Sequence, residues 1–371
     1  MTSSINSLCK VLALVVALAV LAGCADLRVA GTSEGILKGK DLRVAVFPIE
    51  NMSMSPAPLK EMRESIIKKL EEAGLSVIDE KSLEDFMAER RVRYVGGIDE
   101  ETAKAFKKEI GVDAVLITEL ELYNVTTPPR ISMVSRLVST GPSPRVLWMD
   151  GTGLSGDDSP GFLELGLIES PAVLRENALQ TLINSLAATL SHTGKSPGSF
   201  SKRFRPKVSY RSPELSASEK YSVAVLPFYN RSQRRYAGDM MQLMFMDYLT
   251  KFKNLDVKDI GLIRQKLLQY RVILEQGLSL TNADVIFNTL NVDLIVAGYV
   301  FDYEDYQGPL GVPRVDFSAL IFDRKSKEIV WSSNSYNEGS DGVFFFDSGK
   351  INTAFSLSSE MTRAVTEMAI K

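Results

Sequence analysis

Few residues in the chain could do covalent or metal chemistry: its 371 residues include one histidine, His192, and two cysteines, Cys9 and Cys24. His192 lies among breakers, Ser191-His192-Thr193-Gly194, with no ligand spacing around it, and reads as an exposed spacer. Gly151-Thr152-Gly153-Leu154-Ser155-Gly156 matches the pattern that lets a pyrophosphate approach a backbone at a helix N-terminus. It follows a late strand, however, and Asp157 and Asp158 would repel phosphate, so it reads as a flexible turn. Asp302, Glu304 and Asp305, interleaved with Phe301, Tyr303 and Tyr306, could coordinate a hard cation or meet a basic partner, against the plain reading of a solvated strand edge. Phe344, Phe345 and Phe346, between Asp341 and Asp347, form an aromatic loop that either packs inward or marks an interface. Asn51 with Ser53, and Asn230 with Ser232, follow the first strand of each half and are candidates for a ligand or partner cleft. No catalytic residue, metal site or cofactor is expected.

The compartment is written at the N-terminus. Lys10 precedes an apolar run from Val11 to Val20, about half the ~20 residues a spanning helix needs, which is the pattern of a signal peptide. Leu21-Ala22-Gly23-Cys24 follows it and resembles the bacterial lipobox, which implies removal of residues 1–23 and a lipid anchor on Cys24. Several acyl chains at one residue hold a protein stably on a membrane. In outer-membrane lipoproteins Asp is usually absent directly after the lipidated cysteine. Ala25 occupies that position here, so the expected location is the periplasmic face of the outer membrane. Once the signal is removed and Cys24 is blocked, no thiol remains for a disulfide or a Cys-metal site. With 43 basic and 46 acidic residues the net charge is −3, which gives no global attraction to nucleic acid.

The strongest pattern is internal repetition. Leu42-Arg43-Val44-Ala45-Val46-Phe47-Pro48-Ile49-Glu50-Asn51-Met52-Ser53 returns as Tyr221-Ser222-Val223-Ala224-Val225-Leu226-Pro227-Phe228-Tyr229-Asn230-Arg231-Ser232. Leu75, Val77 and Asp79 return as Leu255, Val257 and Asp259, and Arg91-Val92 and Gly97 as Arg271-Val272 and Gly277. Val112-Asp113-Ala114-Val115 returns as Val292-Asp293-Leu294-Ile295, and Arg130, Trp148 and Gly156 pair with Arg314, Trp331 and Gly339. The expected organisation is a tether over 24–40, a first domain over 41–194, a linker over 195–219 and a second domain over 220–371. The linker is locally basic through Lys195, Lys202, Arg203, Arg205, Lys207 and Arg211, which either engage anionic envelope polymers or are merely solvated.

Each half must supply elements to hold these residues. Val44 to Phe47 and Val223 to Leu226 are continuous apolar runs, as in strands buried on both faces. Leu59, Met62, Ile66 and Leu70 recur at helical spacing and stop at Gly74. Short strands at 75–78 and 255–257 are followed by helices at 83–90 and 262–270 and at 102–110 and 281–290. Strands at 114–117 and 294–297 lead into hairpins at 131–148 and 315–333, and long helices at 172–190 and 353–370 close the halves. Met240, Met241, Met244 and Met246, with Phe245 and Tyr248, lie on the first helix of the second half; they are mostly core, with an adaptable interface as the alternative. The fold class is therefore α/β: two tandem copies of a mixed-sheet domain flanked by helices.

Val223-Ala224-Val225-Leu226-Pro227-Phe228, the Asn230-x-Ser232 turn, Val292-Asp293-Leu294-Ile295-Val296-Ala297-Gly298 and Glu328-Ile329-Val330-Trp331 resemble the family of the curli secretion lipoprotein CsgG. The same plan is similar to the penicillin-binding-protein activator lipoprotein LpoB and to the N-terminal, anticodon-binding-like domain of TolB. The first half departs at Thr118, where the second has Gly298. The resemblance implies a non-enzymatic lipoprotein that binds envelope proteins in assembly or secretion. Two alternatives stand beside it: an oligomeric secretion pore, which needs extra membrane hairpins, and a small-ligand receptor.

Overall fold

The computed structural model describes residues 42–158, 166–191, 202–272, 278–305, 311–343 and 349–371. Cys24, His192, Tyr306, Phe344, Phe345 and Phe346, the signal and the tether lie outside them. The chain is α/β, with two mixed sheets flanked by helices.

The first half runs β1 (Arg43–Val46), β2 (Glu50–Asn51), α1 (Leu59–Glu72), β3 (Ser76–Val77), α2 (Glu80–Glu89), α3 (Glu100–Glu109), β4 (Ala114–Asn124), β5 (Arg130–Ser139), β6 (Val146–Ser155) and α4 (Pro171–Leu190). The second adds an edge strand, β7 (Val208–Arg211), then repeats the order: β8 (Tyr221–Val225), β9 (Tyr229–Asn230), α5 (Ala237–Thr250), β10 (Leu255–Val257), α6 (Ile260–Gln269), α7 (Leu280–Leu290), β11 (Leu294–Glu304), β12 (Arg314–Asp323), β13 (Ile329–Glu338) and α8 (Ala354–Ile370). The sheets are ordered β3-β1-β4-β5-β6 and β10-β8-β11-β12-β13-β7, with β2 on β4 and β9 on β11. β1 and β8 sit at equivalent registers, Ala45 opposite Val115 and Ala224 opposite Ile295.

Two sequence readings change. The segment 195–219 is not a linker throughout: Val208–Arg211 pairs antiparallel with β13, and the Arg211 side chain donates to the carbonyls of Ala369 and Leu215. Gly151 and Gly153 are not in a turn but inside β6, where a Cβ would lie 2.6 Å from the Phe355 ring and 2.7 Å from the Ser356 hydroxyl.

Each sheet has one face covered by its own long helices, α1 and α4 on the first and α5 and α8 on the second. The other face is covered at its parallel end, by α2 and α3 in the first half and by α6 and α7 in the second. The remainder of that second face differs between the halves. On the first sheet it carries Val134, Met149, Gly151 and Gly153, and α5 and α8 of the second half pack onto it, so those two helices lie between the sheets. This explains why α5 is mostly apolar and buried nearly all round, while α1, charged at Lys60, Glu61, Glu64 and Lys68, is amphipathic. Met240, Met241, Met244 and Met246 are all buried, so they are core, as the pattern indicated.

The seam between the halves is closed by backbone approach as well as by packing: a Cβ on Gly261, in the first turn of α6, would lie 2.3 Å from the carbonyl oxygen of Ile98. In an isolated helix Gly261→Ala would gain about 1 kcal/mol of helix propensity. Here the overpacking outweighs it, and we expect a net loss of about 1–3 kcal/mol. Chemical denaturation reads it as a lowered midpoint; a raised midpoint would mean the seam is open.

Candidate interaction surface

At the centre of the seam Arg136, on β5, has a fully buried side chain. Its Nε donates to Asp259 Oδ1 at 3.0 Å, its Nη2 to the Gly96 carbonyl at 2.6 Å, and its Nη1 to Glu119. Asp259 belongs to the other half, where it caps α6 by accepting from the Gly261 amide at 2.8 Å. Burial pushes the Glu119 carboxyl up to about 7, against the opposing pull of the Arg136 charge. Beside this cluster an open cleft of about 910 Å³ is lined by Arg90, Arg91, Arg93, Tyr94 and Arg264; Arg90 is bound by Glu109 and Arg264 lies 4.2 Å over the Tyr94 ring.

A second buried group crosses the seam at a β-bulge. The register of β4 shifts between Leu120 and Leu122, and at the intervening Glu121 Arg234 Nη2 of the second half lies 3.4 Å from Glu121 Oε1. Burial, and then the nearby Asp305 charge, raise the Glu121 carboxyl to about 8.

The sequence candidates fall differently than expected. Asn51 Oδ1 accepts from the Ser53 amide and hydroxyl while Asn51 Nδ2 donates to the Ser55 carbonyl; Asn230, Ser232 and Arg234 repeat the arrangement. These four side chains close turns on themselves, so their polar groups are engaged within the turns. They do not cap α1 or α5, whose N-caps carry no side-chain bond. Ser53 does line a cleft of about 650 Å³, together with Tyr303, Arg130, Arg234 and Asp305 from both halves. Tyr303 is only 1% exposed, so it is core and not interface. Asp302 and Glu304 pair with Arg314, and Asp305 accepts from the Ala354 amide at the start of α8.

The surface that sequence reasoning missed is the counterpart, on the second sheet, of the face that receives α5 and α8 on the first. Tyr299, Ser318, Asn334 and Val208 lie side by side across it, as do Ser332 and Tyr210. Tyr210 is 55% exposed, Val208 65%, and Phe301 and Tyr336 each 41%. Arg231 spreads over the rings of Tyr299, Tyr229 and Phe301 at 5.0, 5.5 and 5.9 Å. Among the described residues no helix covers this patch. The signal was present in β7, whose tyrosine and valine on one side announce a strand.

No protein-family model matches the sequence, and no curated protein does. Solved structures are similar to part of the chain. The PelC dodecamer from Paraburkholderia phytofirmans is 17% identical over 43% of this chain and 94% of its own, with a TM-score of 0.28. Lipoprotein GNA1162 from Neisseria meningitidis is 22% identical over 39% of this chain and 98% of its own, with a TM-score of 0.28. The C-terminal domain of LpoB from Salmonella enterica is 9% identical over 34% and 87%, also with a TM-score of 0.28.

Removing Arg136 would strand Glu119 and Asp259 in the seam. Arg136→Leu is expected to cost about 3–5 kcal/mol, measured by denaturant unfolding. Glu121 is protonated in the folded chain at a pH where the unfolded chain ionises it. Its contribution is therefore full below the ordinary value of 4.5 and is lost as pH rises toward about 8. The melting temperature should fall over that interval, and Glu121→Gln should flatten the fall.

Proposed function

We propose that the chain is a lipid-anchored protein of the bacterial envelope, tethered through Cys24 at the periplasmic face of the outer membrane, that binds proteins and catalyses nothing. Its two domains descend from one by tandem duplication, and the second presents the docking surface. The observation that carries the reading is the aromatic face of Tyr210, Tyr229, Tyr299, Phe301 and Tyr336, three of whose rings lie under Arg231, because rings and arginine on a surface that no described helix covers are the chemistry of protein interfaces. The matched positions of the first sheet are buried by helices, so this surface has the geometry of a helix-docking site.

The pore reading gains no support from the geometry. The described hairpins, β4–β5 and β5–β6 in the first half and β11–β12 and β12–β13 in the second, are spent inside their own sheets.

Two measurements test the proposal. An alkyne palmitate analogue fed to cells should label the chain and fail to label Cys24→Ala; equal labelling would remove the anchor. A photo-crosslinking amino acid at Tyr336 should form adducts with protein in intact envelopes, whereas one at the exposed Lys253 should not. Absence of adducts at Tyr336 would remove the docking face.

A further inference from the structure

The seam inside the chain is a template for a contact outside it. The first sheet accepts α5 and α8; their counterparts by register are α1 and α4, whose outward side no described element covers. We propose that the open face of the second sheet accepts α1 and α4 of a second copy of this chain, so that copies join head to tail.

Side chains on the two surfaces have changed together. Within the chain, Gly151 and Gly153 leave room for the Phe355 ring and for Ser356. On the open face the same positions hold Asn334 and Tyr336, while the helix residues matching Phe355 and Ser356 are the small, exposed Ala172 and the half-exposed Val173. Bulk has moved from helix to sheet. Charge follows the same logic. Met52 is buried in the cluster that contains Met240 and Leu243; their counterparts are Arg231 on the open face and Glu61 and Glu64 on α1. An apolar contact inside the chain thus becomes a pairing of arginine with glutamates between chains. Lys81 stands where Gly261 permits backbone contact, and Leu320 where Arg136 binds Asp259. The contact between copies is accordingly shallower and reversible, centred on Arg231 and Tyr336. A contact that joins two different surfaces of one chain closes into a ring or extends as a filament.

The inference rests on the docking face described above, and the experiment separates the two. Sedimentation of the full-length chain in detergent micelles should show concentration-dependent self-association. Arg231→Glu should weaken it by at least about tenfold. Glu61→Arg with Glu64→Arg, added to Arg231→Glu, should restore it, which a folding defect would not allow. A chain that stays monomeric at every concentration, an oligomer indifferent to Arg231→Glu, or a failure of the charge swap to rescue overturns the proposal. If the chain is monomeric while the probe at Tyr336 captures a different protein, the docking face stands and the second copy as its occupant falls.

Discussion

Arg136 holds a guanidinium with no exposed surface between two halves of the chain, bonded to Glu119 on one side and to Asp259 on the other. Taking three charged groups out of water is costly unless every donor finds an acceptor, and removing one member leaves the others buried without compensation. Parting the halves would return these groups to water, so the cluster fixes how the halves meet, while the apolar packing of Met52, Val134 and Met149 against the helices of the second half holds them together. Asp259 spends its second oxygen on the Gly261 amide, which pins α6 to the loop around Ile98. With α6 fixed, α5 and α8 lie flat on the first sheet, and their apolar surfaces become interior on both sides.

The same topology has been finished in two ways. On the first sheet Glu50 and Glu119 lie beside Arg136, and the second half supplies Asp259 as a second carboxylate for the guanidinium. On the second sheet the matched positions are Tyr229, Tyr299 and Leu320, with Arg231 stacked over the tyrosines. Rings with polar tips tolerate water and still bury large area when a partner arrives. One face is thus covered within the chain, and the other is covered by no described helix.

Much of this fold was legible in the sequence. Strand cores such as Val223 to Leu226 and the helix from Leu59 to Gly74 appear where periodicity places them, because a strand buried on both faces and an amphipathic helix each leave a local signature. The site was not legible for a specific reason. Phe301 and Tyr303 are two residues apart on one strand and should share a face, but a bulge between Val300 and Asp302 shifts the register, so Phe301 points out and Tyr303 in. Likewise Gly151 and Gly153 resemble a nucleotide loop until Phe355, some two hundred residues away, is seen to occupy the space they leave. Local pattern reports which residues are buried on a sheet by its own helices; it does not report which face a distant helix pair will cover.

The seam around Arg136 should make the two halves a single cooperative body. Differential scanning calorimetry of the full-length chain tests it directly. One transition, with calorimetric and van 't Hoff enthalpies equal, is the predicted result. Two separable transitions, one for each sheet, would show that the seam does not hold the halves together, and the open face could then no longer be defined by contrast with the covered one.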